Sequence, residues 1–220
     1  MKVSLVSSSQ PSTELVAQGI VNAQELVAFC ARVSNPANQT NTDTSEKLIR
    51  YLINHRHWSP LEMVSACLEI ETTRDIARQI LRHRSFSFQE FSQRYAVADL
   101  GVELKEARLQ DTKNRQNSID TDNAVLGSAW RLKQQRVIET SKEVYRWALD
   151  NGIAKEQARA VLPEGITTSR LYMQGTLRSW LHYIELRSGP ETQKEHREVA
   201  EACAQSLATI FPMVTEFLVK

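Results

Sequence analysis

Apolar residues follow two different periods along this chain, and each period predicts one kind of element. Alternation of apolar and polar positions predicts short strands over residues 3–7, 64–71 and 168–173. Apolar residues at spacings of three and four predict helices elsewhere. Two of the predicted helices begin at the cap residues Asn22 and Asp43. The others cover residues 73–84, 124–150, a short segment that ends at 162, 174–187 and 190–210.

One segment, residues 99–123, interrupts this pattern because it is polar, charged and without a clear period. Composition of this kind predicts a mobile excursion from the fold. Such an excursion is either a tolerated surface insertion or a lid over a site, and the sequence favours the insertion. The long helix that follows ends at Asn151-Gly152, a pair expected where a helix stops in a left-handed turn.

Length and composition predict an ordinary globular chain with a single domain, residues 1–220. Hydrophobic residues make up 41% and charged residues 24% of the 220 positions. The net charge of +1 gives no general attraction to nucleic acid or to an anionic membrane, so neither partner is expected. No apolar run approaches the ~18 residues of a membrane span. Three scattered cysteines without metal-binding spacing predict reduced thiols in a cytoplasmic compartment.

The most unusual composition lies in residues 82–95, which hold three arginines, one histidine and four aromatic residues. Guanidinium groups bind phosphate through paired hydrogen bonds, and aromatic side chains can flank a planar ring. Just before, Arg74, Arg78 and Arg82 recur every four residues, opposite the apolar face of the predicted helix. That stripe is either a solvated face or a face covered by a partner subunit or an anionic ligand. The segment predicts a site for a planar ligand that carries phosphate.

Motifs for a nucleophile or a metal do not accompany this segment. Ser92 has no histidine and aspartate at a spacing that predicts a triad, and no cysteine lies in an electropositive motif. The histidines show no HxxxH pair, and neither a dinucleotide-binding nor a P-loop glycine turn occurs. A ring-and-phosphate site of this kind predicts chemistry carried by a bound cofactor.

A set of fixed spacings gives this site a family resemblance. Arg82-His83-Arg84, followed after seven residues by Ser92-x-Arg94, resembles the RHRx7SxR signature of the flavin-dependent thymidylate synthases, the ThyX family. Further segments occur in the same order as in that family and extend the resemblance over almost the whole chain. They are Ala31-Arg32-Val33-Ser34, His57-x-Ser59-Pro60-x-Glu62, Ala77-Arg78-Gln79, Ala158-Arg159-x-x-Leu162-Pro163 and Arg178-Ser179-x-x-His182-x-x-x-x-Arg187.

The resemblance implies an α+β fold with a small, mostly antiparallel sheet flanked by helices. It also implies an enzyme that converts dUMP to dTMP by reductive methylation. The carbon would come from 5,10-methylenetetrahydrofolate and the reducing equivalents from NADPH through FAD. Hydride would pass from the reduced flavin to the nucleotide without an enzyme nucleophile. Family members are homotetramers with shared active sites, so partner chains and ligands would cover the arginine stripe.

The resemblance also assigns candidate site residues by position, with no residue expected to hold a metal. Arg187 would be the catalytic residue, because a nearby cation favours an ionised uracil. The dUMP-binding residues would be Gln79, Arg82, Glu90, Phe91, Ser92, Gln93, Arg94, Arg159 and Arg187. The FAD-binding residues would be Ser34, His57, Ser59, Glu62, Arg82, His83, Arg84, Glu90, Thr176, Arg178 and His182.

Three positions depart from the family pattern. Met63 stands where the family often has His, Thr176 stands where many members have Asn, and the segment after Arg187 lacks a His that many members place there. One alternative is therefore a flavin- or nucleotide-binding protein without synthase activity. A second alternative is an RNA-binding module that uses Arg and Phe for backbone and stacking contacts, which the near-neutral charge disfavours.

Overall fold

Four strands form the sheet on which the fold is built: β1 (Lys2–Ser8), β2 (Ser65–Thr73), β3 (Ser87–Glu90) and β6 (Thr168–Thr176). In this computed structural model, which describes residues 1–99 and 101–219, their order is β1-β2-β6-β3 and all neighbours are antiparallel. A separate hairpin pairs β4 (Arg108–Gln110) with β5 (Ser118–Asp120). Leu100, within the predicted insertion, and Lys220 lie outside the described residues.

Helices flank this sheet, which confirms the predicted α+β class. They are α1 (Thr13–Ala17), α2 (Ala23–Ala31), α3 (Ser45–Asn54), α4 (Arg74–Ile80), α5 (Ala124–Asp150), α6 (Lys155–Ala158), α7 (Leu177–Arg187) and α8 (Lys194–Leu207). Short 3-10 turns occur at Pro36–Asn38, Ser59–Glu62, Arg159–Val161 and Pro212–Phe217. Among the described residues, no helix has both the length and the apolar character needed to cross a membrane.

Alternation along the central strands divides the sheet into two faces. Leu68 of β2 pairs with Met173 of β6, and both side chains are fully buried. One position further, Glu69 pairs with Tyr172 on the opposite face, since successive side chains of a strand point to opposite sides. The apolar face packs on α7 and α8, whose buried residues include Trp180, Leu181, Ile184, Val199, Ala200, Cys203 and Leu207.

The helix predicted over residues 73–84 ends earlier than its pattern suggested. Ile76 and Ile80 are buried as predicted, but α4 stops at Ile80 and the chain turns away. The backbone N–H of His83 closes this turn by donating to the carbonyl of Ile80. The turn lets β3 pair with β6, with Phe88 opposite Met173. The signature residues Arg82, His83 and Arg84 therefore lie in a turn between helix and strand.

Strand pairing also corrects the boundary predicted at residue 174. Gln174 and Thr176 continue β6, because they pair with Cys67 and Ser65 of β2. The helix therefore begins at Leu177, and Thr176 caps it. The last predicted helix, over 190–210, is likewise shorter and corresponds to α8.

The start of α3 also differs from the prediction. Thr44, and not Asp43, is the N-cap residue, without a side-chain capping bond. The backbone N–H of Asp43 is already bonded to the side chain of Asn41 in the preceding turn. By contrast, Asn22 caps α2 as predicted, because its side chain accepts from the backbone N–H of Glu25.

Residues 99–123 contain regular structure and several attachments to the rest of the chain. Val102 forms a bridge to Thr167, and the side chain of Gln134 on α5 bonds both the N–H and the C=O of Lys105 at 2.8 Å. The β4–β5 hairpin lies within this segment. The mobility predicted for it stays a prediction. The long helix over 124–150 is confirmed, and Gly152 follows it with a positive φ of 77°.

Candidate active site

The centre of the site is a contact between the end of α7 and the turn after α4. Burial of Ile80 anchors the end of α4 in the core, and the following turn carries His83. Arg187 is the last residue of α7, and its Nε donates a 2.9 Å hydrogen bond to Nε2 of His83. Arginine has no acceptor, so the imidazole must accept through Nε2 and carry its proton on Nδ1. The residues assigned to catalysis and to the flavin therefore lie together.

Burial and a neighbouring charge keep His83 neutral. Burial lowers the pKa of His83 to about 4, and the Arg187 guanidinium adds to the effect. The fully buried ring of Tyr183 meets the imidazole edge-on, with ring centroids 4.9 Å apart. Because the imidazole is uncharged, it holds the Arg187 side chain without neutralising it.

Gln79, a candidate nucleotide-binding residue on α4, belongs to a line of polar groups. Its Oε1 lies 3.1 Å from Nδ1 of His196, and its Nε2 donates a 2.8 Å hydrogen bond to Gln193. The other ring nitrogen of His196 lies 3.1 Å from the hydroxyl of Tyr183. Burial lowers the pKa of His196 to about 3, and the charge of Arg187 adds to this. Gln79 is thus held from both ends of its amide.

Four candidate flavin-binding residues form a second group around the start of α7. Glu62 accepts hydrogen bonds from Arg178 at 2.6 Å and from the Thr176 hydroxyl at 2.8 Å. The Arg178 bond, followed by the Thr176 bond, lowers the pKa of Glu62. His182 lies one turn along α7 and packs edge-on against Trp58, with centroids 4.5 Å apart. Thr176, one of the three departures noted in the sequence, therefore has a role at this position, because its hydroxyl both caps α7 and bonds Glu62.

Glu90 and its neighbours form a third group at the end of β3. Glu90 accepts from the hydroxyl of Ser169 at 2.7 Å and from Arg74 at 3.3 Å. Arg74 is thus a mostly covered ion-pair partner and not a solvated residue. The backbone N–H of Phe91 bonds to β6, and the side chain of Gln93 is buried.

Arg94 and Arg159 meet at a common residue on α6. Nε of Arg94 lies 3.7 Å from the carboxylate of Glu156, and Nε of Arg159 donates to the backbone carbonyl of Glu156 at 3.3 Å. Most of the Arg94 side chain, 66%, is exposed. Such an exposed ion pair is weak, so the guanidinium can exchange its partner for an anion. The structure brings together two arginines that are 65 positions apart in sequence.

The remaining candidate residues are exposed, and among the described residues their side chains make no hydrogen bond to another candidate residue. Arg82 and Arg84 are exposed in the turn after α4, while the others lie on loops or at the start of a turn. These residues are Ser34, His57, Ser59, Arg82, Arg84 and Ser92.

Two of the aromatic residues in segment 82–95 serve the core instead of a ligand. Phe86 packs edge-on against the buried Trp180 with centroids 4.8 Å apart, and Phe88 contacts the same core. The ring of Phe86 lies directly over Gly175, where a Cβ atom would come within 2.4 Å of it. The glycine is required by this close approach.

Sequence reasoning missed the contribution of α8. His196 lies in line with the buried residues Val199, Cys203 and Leu207, so a histidine falls on an apolar helix stripe. That signal was available, because polar residues on such a stripe need buried partners. Glu195 was also missed, although it is buried and receives a 2.5 Å hydrogen bond from Arg108.

These features define an α+β protein with a surface site that combines exposed arginines with a partly buried, neutral histidine. The arrangement suits an anionic ligand that carries a ring. Comparison of the chain with known proteins identifies the family to which it is similar. A family model described as thymidylate synthase complementing protein matches residues 14–213.

Curated relatives and solved structures extend this match over the whole chain. A flavin-dependent thymidylate synthase of Synechocystis sp. is 48% identical over 219 residues, and a probable one of Paramecium bursaria Chlorella virus 1 is 46% identical over 218, each covering 99% of both chains. The crystal structure of a UMP/dUMP methylase from Streptomyces cacaoi, bound with 5-Br dUMP, has a TM-score of 0.81 at 28% identity and covers 98% of this chain and 93% of its own. The chain belongs to the flavin-dependent thymidylate synthase family and is an enzyme of this class.

Proposed function

We propose that the chain converts dUMP to dTMP by reductive methylation, with 5,10-methylenetetrahydrofolate as carbon donor and NADPH as reductant through FAD. The observation that carries this proposal is the hydrogen bond from Arg187 to His83. It joins the residue expected to act on the nucleotide to the motif expected to hold the flavin. The methylase from Streptomyces cacaoi, bound with 5-Br dUMP, supports the nucleotide as substrate.

The residues present fit a dinucleotide flavin. Arg82 and Arg84 expose two guanidinium groups beside His83, and guanidinium groups suit the diphosphate of FAD. Glu62 and Arg178 form an ion pair with neighbouring polar groups at the start of α7. When bound, FAD would supply the hydride. The other residues proposed to hold it are Ser34, His57, Ser59, Glu90, Thr176 and His182.

The dUMP site is proposed to lie beside the flavin. Arg94 and Arg159 would hold the 5′-phosphate by exchanging their contacts with Glu156 for charge-assisted bonds. Gln79 and Arg82 would bind the nucleotide from the end of α4. The remaining proposed contacts come from Glu90, Phe91, Ser92, Gln93 and Arg187.

Arg187 would act on the uracil ring by charge. A guanidinium beside the ring stabilises the ring with a proton removed from N3, since an opposite charge favours the ionised form. His83 fixes the direction of Arg187 and, being neutral, leaves this charge in full. The exposed Ser92 would bind the nucleotide without attacking it, because the described structure gives its hydroxyl no hydrogen-bonded base.

A homotetramer with shared sites is part of this proposal, with residues 1–220 acting as a single domain. The support is the number of large apolar side chains that α5 exposes. Its exposed large residues include Val125, Leu126, Trp130, Leu132, Val137 and Trp147. Exposed apolar surface that is larger than single scattered residues marks interaction sites. A partner chain over these residues would also limit the motion proposed for residues 99–123. The expected cytoplasmic location and absence of nucleic-acid or membrane partners stay predictions.

Purified protein tests the function directly. The expected result is a yellow protein with the visible absorbance of oxidised flavin that forms dTMP only when dUMP, the folate and NADPH are all present. Chromatographic detection of dTMP, with each substrate omitted in turn, measures this. A flavin-loaded protein that forms no dTMP would support the alternative of a binding protein without turnover. A colourless protein that FAD cannot reconstitute would contradict the flavin proposal.

A further inference from the structure

Five side chains form an unbroken line of hydrogen bonds that runs from Tyr183 in the core, through Gln79, to Glu195. Starting from the surface, Gln193 donates to Glu195 at 2.9 Å and accepts from Gln79 at 2.8 Å. The line continues from Gln79 to His196 at 3.1 Å and from His196 to Tyr183 at 3.1 Å. Gln79 lies at its centre, between the charged end and the buried end.

The charged end of the line sets the direction of every proton in it. Arg108 donates to Glu195 at 2.5 Å, and both side chains are almost covered, with 11% and 10% exposed. Burial raises the pKa of Glu195, but hydrogen bonds from its own backbone N–H and from Gln193, with the charge of Arg108, outweigh it and leave that pKa lowered. An ionised carboxylate can only accept, so the amide of Gln193 must donate to it.

Each following step is then forced by the one before. Since Gln193 donates to Glu195 through nitrogen, its oxygen faces Gln79, which must donate through its own nitrogen. The oxygen of Gln79 therefore faces His196, whose Nδ1 must carry a proton. Nε2 of His196 is left as an acceptor for the hydroxyl of Tyr183.

His196 has no freedom to change this arrangement. It is fully buried, both ring nitrogens are bonded, and Tyr183 is only 1% exposed. Two titratable groups from other elements influence it: His83 in the turn after α4, with ring centroids 6.4 Å away, and Arg187 at the end of α7. A second proton on the ring would place a positive charge in a buried site near the Arg187 guanidinium, and the Tyr183 hydroxyl would lose its acceptor.

We propose that His196 is a positioning residue for the nucleotide: its Nδ1–H fixes the amide of Gln79 so that one N–H of that amide remains to donate to dUMP. This rests on the proposed function, in which Gln79 binds dUMP. Without His196, the Gln79 oxygen has no buried donor and the amide is held only by its bond to the exposed Gln193. That single exposed bond can be exchanged for water, so the amide can turn to present either atom, since terminal amide torsions are broad. The ligand group that this orientation favours is an acceptor, such as a ring carbonyl or a phosphate oxygen.

The decisive experiment measures dUMP binding to the flavin-loaded protein by equilibrium dialysis. His196→Leu removes the donor to Gln79 and is expected to weaken dUMP binding roughly tenfold, the effect of about one hydrogen bond, while the FAD content is unchanged. His196→Asn keeps an N–H close to the position of Nδ1 and is expected to recover most of the affinity. The matched control is Tyr183→Phe, which deletes a buried hydrogen bond in the same line but leaves the donor to Gln79 in place.

A double-variant cycle shows whether the effect passes through Gln79. In a Gln79→Ala background, His196→Leu is expected to cause no further loss of dUMP affinity. Additive losses, an equal loss in Tyr183→Phe, or unchanged affinity in either Gln79→Ala or His196→Leu would each overturn the positioning role.

A second variant keeps the inference testable if His196→Leu does not fold. His196→Phe keeps a ring of similar size in the buried position but has no N–H for the Gln79 oxygen, so dUMP binding is expected to weaken to a similar extent. Retained affinity in that variant would overturn the inference. Formation of dTMP by the wild-type protein tests the proposed function separately, because the cycle measures binding and needs no turnover.

Discussion

Nε of Arg187 lies 2.9 Å from Nε2 of His83, so two residues 104 positions apart share one hydrogen bond. The bond exists only while His83 is neutral, because a protonated imidazole has no acceptor. His83 also borders Tyr183, which belongs to the line of side chains that ends at Glu195. The arginine proposed to face the nucleotide is therefore aimed by a buried network.

Replacing Arg187 separates flavin binding from turnover. Arg187→Ala is expected to keep FAD bound but to lower the rate of dTMP formation by ~10²–10³-fold, because one charge that stabilises the ionised ring is removed. Single-turnover assays and flavin absorbance measure the two effects. The control Arg50→Ala removes an arginine whose partners, Glu46 and Glu216, form exposed surface pairs, and should keep full activity. Undiminished turnover in Arg187→Ala would refute the catalytic role.

The contact of Arg94 and Arg159 with Glu156 predicts a phosphate site. Arg94→Ala and Arg159→Ala are each expected to weaken dUMP binding by ~10–100-fold, since hydrogen bonds between charged groups contribute about 1.5–3 kcal/mol. Binding of deoxyuridine, which lacks the phosphate, should change little. Calorimetric titration with both ligands makes the comparison, again with Arg50→Ala as control. Equal losses for both ligands would place these arginines away from the phosphate.

Periodicity and spacing predicted much of this arrangement, and the misses have physical causes. Burial patterns along one element predict its existence, so α5 and the apolar positions of α4 appear as expected. Element ends depend on partners distant in sequence. The neighbours of Thr176 in sequence predict a helix, but its pairing with Ser65 places it in a strand.

The candidate site likewise combines residues that the sequence predicts with contacts that it does not predict. Motif spacing identified Arg187 and His83 as candidates, whereas their contact forms where the end of α7 meets the turn after α4, which spacing along the chain does not predict. His196 could be recognised only as a histidine on an apolar stripe, because its partners Gln79 and Tyr183 come from two other elements. Polar networks between elements are the part that a single sequence conveys least.

Two neutral histidines, the buried His196 and the partly buried His83, predict loss of stability in mild acid. The pKa is lowered to about 4 for His83 and to about 3 for His196, from an ordinary 6.5. As the pH falls from about 6.5 towards 4, the unfolded chain binds protons at both rings while the folded chain does not. The free energy of unfolding should therefore fall by roughly 1.4 kcal/mol per pH unit for each histidine.

Urea unfolding across this pH window measures the effect. His196→Asn removes one of the two groups and should flatten the dependence by about half. The control His55→Asn changes an exposed histidine and should keep the wild-type slope. The same flattening in both variants would show that burial of His196 is not the cause.

Gly175 is expected to be intolerant of any side chain. A Cβ atom there would lie 2.4 Å from the ring of Phe86, which is held against Trp180, so Gly175→Ala should lower the free energy of unfolding by ~1–3 kcal/mol through overpacking. Gly127 lies inside α5 with open space around it, and Gly127→Ala should instead stabilise the protein by ~0.5–1 kcal/mol through helix propensity. Phe86→Leu combined with Gly175→Ala should destabilise less than the sum of the single changes, because the smaller side chain can move aside. Urea midpoints of the four variants give the comparison, and strict additivity would show that the ring of Phe86 is not what excludes a side chain at Gly175.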